Sequence, residues 1–122
     1  MAQKLKIKTT NQELFDTIRA CRKVANSKGI GAYDKIADEL SRSASQRAEV
    51  NLDKIEKLAK TGDIVVIPGK VLGTGILSKK VTIVAFSASD SALDKIEKAG
   101  ASFVKLQEYV NNKPATKIFI MK

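Results

Sequence analysis

DIVVIPGKVLGTGILSKKVTIVAFS, residues 63–87, decides the fold. Two apolar, β-branched runs, 64–67 and 81–86, flank a segment punctuated by Pro68, Gly69, Gly73 and Gly75. Short Val- and Ile-rich runs bounded by Gly and Pro read as strands. Their near-continuous apolar character predicts a sheet covered on both faces by helices. The linking segment carries Lys70, Lys79 and Lys80 among its glycines, with no acid between Lys70 and Lys80. Glycine permits close backbone approach and lysine supplies point charge for phosphate, so this unit is expected to be both core and working surface.

Working outward, helical patterns lie on both sides. Thr10 and Glu13 fit a capping box. Leu14, Ile18, Cys21 and Ala25 follow at helical spacing, with Phe15 and Val24 widening the apolar stripe and Arg19, Arg22 and Lys23 on the outer face. Gly29 ends this helix, and a second begins near Ala32 with Tyr33, Ile36, Ala37 and Leu40 on its apolar side. Residues 42–51 read as a polar connector. A third helix runs from Leu52 to about Lys60, with Asn51 as its N-cap and Leu52, Ile55, Leu58 and Ala59 as its buried stripe. After Phe86 a helix capped by Ser89 or Ser91 extends to Gly100. Residues 102–106 form a third strand candidate, 107–111 a short helical turn, and 117–121 a last strand returning to the sheet. The whole is an α/β fold: N-terminal helices packed with a small sheet of short strands and a C-terminal helix. It is expected as one domain, with a basic arm at 1–8, a helical part at 9–61 and a strand/helix core at 62–122.

Composition narrows the function. The chain has 122 residues, 43% hydrophobic and 29% charged, within the ordinary globular range. No run approaches the ~20 apolar residues of a membrane span, and no signal-peptide pattern opens the chain. With a single cysteine, Cys21, read as a small buried hydrophobe, a cytosolic compartment is expected. The formal net charge is +9. Residues 1–61 hold 13 Lys and Arg against 8 Asp and Glu, a net of +5, and residues 62–122 hold 9 against 5, a net of +4. A basic excess spread over the whole chain points to a polyanionic partner gripped by the folded domain. Histidine is absent, which excludes Ser–His–Asp and Cys–His catalysis and His/Cys zinc sites. No cofactor, metal or small-molecule substrate is expected.

Three places concentrate donors for phosphate and ribose. The N-terminal arm alternates Lys4, Lys6 and Lys8 with Leu5 and Ile7, and Lys6 and Lys8 are the expected contacts. The connector sets Arg42 and Arg47 around Ser43, Ser45 and Gln46, a dense array of guanidinium, hydroxyl and amide donors. The third group is Lys54 on the third helix together with Lys70, Lys79 and Lys80 of the strand–turn–strand unit; Asn51 caps its helix first and contacts RNA second. The glycine-rich segment lacks the G-x-x-x-x-G-K-[ST] order of a P-loop, and its glycines lead into a strand, not a helix as in a dinucleotide fingerprint. Residues 42–50 are too long and serine-rich for the tight turn of a helix-turn-helix. Aromatic content of 5% gives no base-stacking sheet, so recognition by shape and backbone fits best.

Val65–Leu77 (VVIPGKVLGTGIL), Val81–Ser87 (VTIVAFS), Ile96–Gly100 (IEKAG) and Arg47–Ile55 (RAEVNLDKI) together resemble the large-ribosomal-subunit protein eighteen-e family of archaea and eukaryotes, related to bacterial large-subunit protein fifteen. The likeness spans nearly the full chain, and its size is archaeal in type. One departure lies before Arg47, where relatives carry two adjacent basic residues, often after a proline, and this chain has Ser43-Ala44-Ser45-Gln46. The resemblance implies a structural, non-catalytic constituent of the large subunit in the cytoplasm, with large-subunit ribosomal RNA and neighbouring ribosomal proteins as partners and no membrane. A free-standing DNA- or RNA-binding regulator on a similar domain is the alternative.

Overall fold

The structure, a computed structural model, describes residues 11–42, 48–112 and 118–121. The basic arm with Lys6 and Lys8, the Thr10 cap, and Ser43, Ser45, Gln46 and Arg47 of the connector lie outside the described residues. In chain order the elements are α1 (Asn11–Lys28), α2 (Gly31–Leu40), β1 (Ala48–Asn51), α3 (Leu52–Leu58), β2 (Ile64–Leu72), β3 (Thr82–Ala88), α4 (Asp90–Lys98), β4 (Ser102–Lys105), α5 (Leu106–Asn111) and β5 (Phe119–Ile120). The strands form one sheet in the order β1-β2-β3-β4, with β5 also pairing with β2. Every pairing is parallel. β5 meets β2 at Val65 and Val66, whereas β1 meets it at residues 69–72, so β1 and β5 share one edge of β2 end to end.

The alternation of side chains along β2 and β3 builds two cores. Val65, Ile67, Ile83 and Ala85 point to one face, where Leu52 and Ile55 of α3 and Ala92 and Ile96 of α4 cover them. Val66, Val84 and Phe86 point to the other, against Cys21 of α1, Tyr33, Ile36 and Leu40 of α2, and Leu106 and Val110 of α5. A strand buried on both faces has no polar positions to show, which is why both runs read as continuously apolar. Burying a Leu or Ile side chain of this kind contributes roughly 1.5–3 kcal/mol, so these two seams dominate the stability.

Four local readings are corrected. First, β2 does not stop at Ile67 but continues through Pro68 and Gly69 to Leu72. Its register with β3 shifts between Ile67 and Lys70, β5 has already ended, and β1 begins only at Gly69. Pro68, which has no N–H to donate, thus falls where no ladder requires one. Second, the end of the polar connector is itself a strand, β1, whose Val50 is buried and whose Glu49 is exposed. Third, α3 ends at Leu58, and Leu58 is 53% exposed instead of forming part of the buried stripe. Fourth, Phe15 is 58% exposed on α1 and does not widen its apolar face. Cys21 is fully buried, as expected, and burial pushes its thiol pKa up to about 12. Ser89, rather than Ser91, caps α4, its hydroxyl accepting from the Ala92 N–H at 3.2 Å.

Candidate nucleic-acid interface

Because all strands are parallel, the sheet has one end where strands finish and helices begin. Asn51 and Lys70 lie at this end. Lys70 sits beyond the Pro68 bulge, in register between Glu49 of β1 and Ser87 of β3. Its neighbour Val71 turns into the α3/α4 core, so alternation sends the Lys70 side chain to the other face, where it is exposed. Gly69 precedes it, packed so closely against the backbone of Ala48 that a side chain there would overlap the Ala48 carbonyl. This glycine therefore brings β1 against β2, an approach within the chain and not toward a partner.

Asn51 stands at the head of α3 in an extended conformation, with φ −83° and ψ 156°, but its side chain makes no capping bond. Its Oδ1 is buried and without a hydrogen-bond partner among the described residues. The expected cap is thus absent, while the position between β1 and α3 is as read. Lys54, one turn into α3, is exposed. Arg42, just past the end of α2, is exposed and ion-paired through Nε with Glu39 Oε1 at 3.2 Å.

The β2–β3 crossover behaves differently. Gly75 has φ +100° and lies against Asp53, a conformation and a proximity that a side chain would not accept. The Asp53 N–H donates to the Thr74 carbonyl at 3.2 Å. From the other side Lys95 of α4 donates its ammonium to the carbonyls of Gly73 at 2.7 Å and Gly75 at 2.9 Å. Further along, Ser78 donates to Glu56 through its N–H at 3.0 Å and its hydroxyl at 2.6 Å. The Ser78 hydroxyl, then its N–H, hold the Glu56 carboxyl below the usual carboxylate range. Lys79 Nζ donates to the carbonyls of Glu56 at 2.6 Å and Ala59 at 2.8 Å. These are carbonyls of the last turn and end of α3, so the ammonium satisfies groups that a helix terminus leaves open and faces the negative end of its dipole. Lys80, next in sequence, is exposed.

The expected residues therefore do not form one cluster. Asn51 and Lys70 lie at the carboxyl end of the sheet, with Lys54 one turn into α3, whereas Lys79 and Lys80 precede β3 at its opposite end. Lys95 was missed by sequence reasoning. Nothing in its spacing distinguishes it from Lys98, whose ammonium pairs with Asp94 at 3.1 Å on the helix surface. Among the described residues no group of three or more His, Cys, Asp or Glu is placed to hold a metal ion, and no helix is long and apolar enough to cross a membrane.

Comparison with known proteins agrees with this architecture. Residues 34–104 match the family model that describes ribosomal proteins 50S-L15 and 50S-L18e with their 60S counterpart, a span that takes in α2 to β4. Large ribosomal subunit protein eL18 of Methanothermobacter thermautotrophicus is 40% identical over 112 residues, covering 92% of this chain and 93% of the relative. The protein of the same name from Halobacterium salinarum is 40% identical over 105 residues, covering 86% and 90%. That of Thermoplasma acidophilum is 36% identical over 113 residues, covering 92% and 94%. Both the matched span and the end-to-end likeness to archaeal relatives place this chain in the family of ribosomal proteins 50S-L15 and 50S-L18e.

Proposed function

We propose that the protein is a structural constituent of the large ribosomal subunit, bound to ribosomal RNA in the cytoplasm beside other large-subunit proteins and without catalytic activity of its own. The observation that carries this reading is the pairing of near full-length likeness to large-subunit proteins with a net charge of +9 distributed along the chain. Lys54, Lys70, Lys80 and Arg42 offer exposed cations, and Lys6, Lys8, Ser43, Ser45, Gln46 and Arg47 supply the remaining donors. Asn51, with an open Oδ1 acceptor, is suited to a ribose hydroxyl. Lys79 acts on RNA indirectly, by fixing the crossover from which Lys80 projects. Phosphate neutralisation releases counterions, so binding is steeply salt-dependent.

Sedimentation of a cell lysate at moderate and high salt tests this. The protein is expected to travel with large subunits and to be released as salt rises. Recovery in the light fractions at moderate salt would contradict the proposal and favour a free-standing nucleic-acid-binding regulator.

A further inference from the structure

The outer face of α1 has no role in the interface above, yet it carries an unusual combination. Phe15 is 58% exposed although the helix has a well-filled apolar face elsewhere. At 3.6 residues per turn, Phe15, Arg19, Arg22, Lys23 and Asn26 fall within about 100° of arc, on one stripe about 16 Å long. Arg19, Arg22, Lys23, Asn26 and Ser27 line a shallow groove there. Arg22 is held by Asp34 at 3.2 Å and Asp38 at 3.0 Å, which turns those two carboxylates toward it. Asp16 accepts from Gln12 at 2.9 Å. Arg19 and Lys23 are exposed and have no ion pair among the described residues, so the groove keeps two cations directed at solvent.

An exposed aromatic ring flanked by unpaired cations matches the chemistry of an unpaired nucleic-acid strand, in which bases stack on rings and phosphates meet Arg and Lys. A duplex, with its bases already stacked, has no use for the ring. The location adds a constraint. α1 covers one face of the sheet and α3 the other. With helices about 10 Å thick on each side of a sheet, the two outer surfaces stand about 30 Å apart. A strand lying along α1 therefore cannot also meet Lys54 of α3.

Resting on the ribosomal reading, we propose that the outer face of α1 is a second RNA-docking surface: it takes an unpaired segment with a base stacked on Phe15 and backbone phosphates on Arg19 and Lys23, so that the protein joins two separate RNA segments. Dimethyl sulfate and hydroxyl-radical footprinting test it, using the full chain on large-subunit ribosomal RNA transcribed from the source organism's gene. Wild type is expected to protect two separate tracts. Phe15→Ala restores free-RNA base reactivity in one tract, Phe15→Trp keeps the protection, and the Arg19→Ala/Lys23→Ala pair loses backbone protection in that tract alone. Lys54→Ala weakens only the other. The proposal is overturned if the α1 variants leave every protected position unchanged, which would assign the face to a protein neighbour or to solvent. It is equally overturned if α1 and Lys54 variants affect the same tract. Absence of any tract with wild type would instead bring down the RNA-binding reading itself.

Discussion

The crossover between β2 and β3 and the outer face of α1 are both basic, yet they use their cations in opposite ways. In the crossover region Lys79 and Lys95 turn inward, each to two backbone carbonyls, and its glycines meet Ala48 and Asp53 of the same chain. On α1, Arg19 and Lys23 remain at the surface beside an exposed ring. The difference follows from what each cation can reach. An irregular segment and a helix end expose carbonyls that need donors, whereas the middle of a long helix has its carbonyls satisfied internally. A lysine in a glycine-rich loop is thus as readily a fastener of the loop as a phosphate ligand.

The largest effect that would break this contrast is at Gly69. Gly69→Ala sets a methyl group into the Ala48 carbonyl and should destabilise the protein by about 3 kcal/mol or more, as overpacking against backbone does, read by denaturant unfolding. A neutral outcome would mean that the glycine is kept for a partner. Next, Lys79→Met and Lys95→Met each remove charged hydrogen bonds to partly buried carbonyls and should each cost about 1.5–3 kcal/mol. Lys70→Ala and Lys80→Ala should change stability by no more than about 0.5 kcal/mol, while each lowers the salt slope of RNA binding by about one.

A pH effect sharpens the same comparison. The Ser78 bonds depress the Glu56 pKa in the folded state, so their contribution is complete above the unfolded carboxylate pKa and is lost as pH falls through the lowered folded value. Acid titration followed by NMR should show the Ser78 amide signal moving with Glu56 protonation, and Glu56→Gln should remove that movement. The smallest effect concerns Cys21, whose buried thiol should resist alkylation at pH 8 in the folded protein and react promptly once unfolded.

The sequence made the layered fold legible because β2 and β3 carry apolar residues on both faces, and because Ser89 stands where a helix after a strand needs a cap. It did not reveal β1, a four-residue edge strand whose pattern of one buried side chain resembles a connector. Nor did it carry β2 past Pro68, since Pro and Gly punctuate most strands and only the bulge shows why this one continues. Phe15 and Leu58 fit helical apolar spacing, yet the core closes without them. The inward turn of Lys79 is tertiary: its acceptors lie 20 and 23 residues earlier in the chain, at the end of α3. Charge alone showed that the partner is anionic, but not which cations remain free to meet it.

The most direct measurement is the dependence of binding to large-subunit ribosomal RNA on salt, compared for wild type, Lys79→Met and the Lys70→Ala/Lys80→Ala pair at a temperature where all are folded. Wild type and Lys79→Met should share one slope of log affinity against log salt, and the double variant should be shallower by about two. A shallower slope for Lys79→Met with an unchanged Lys70→Ala/Lys80→Ala slope, or no salt dependence in wild type, would contradict the division between inward and outward cations.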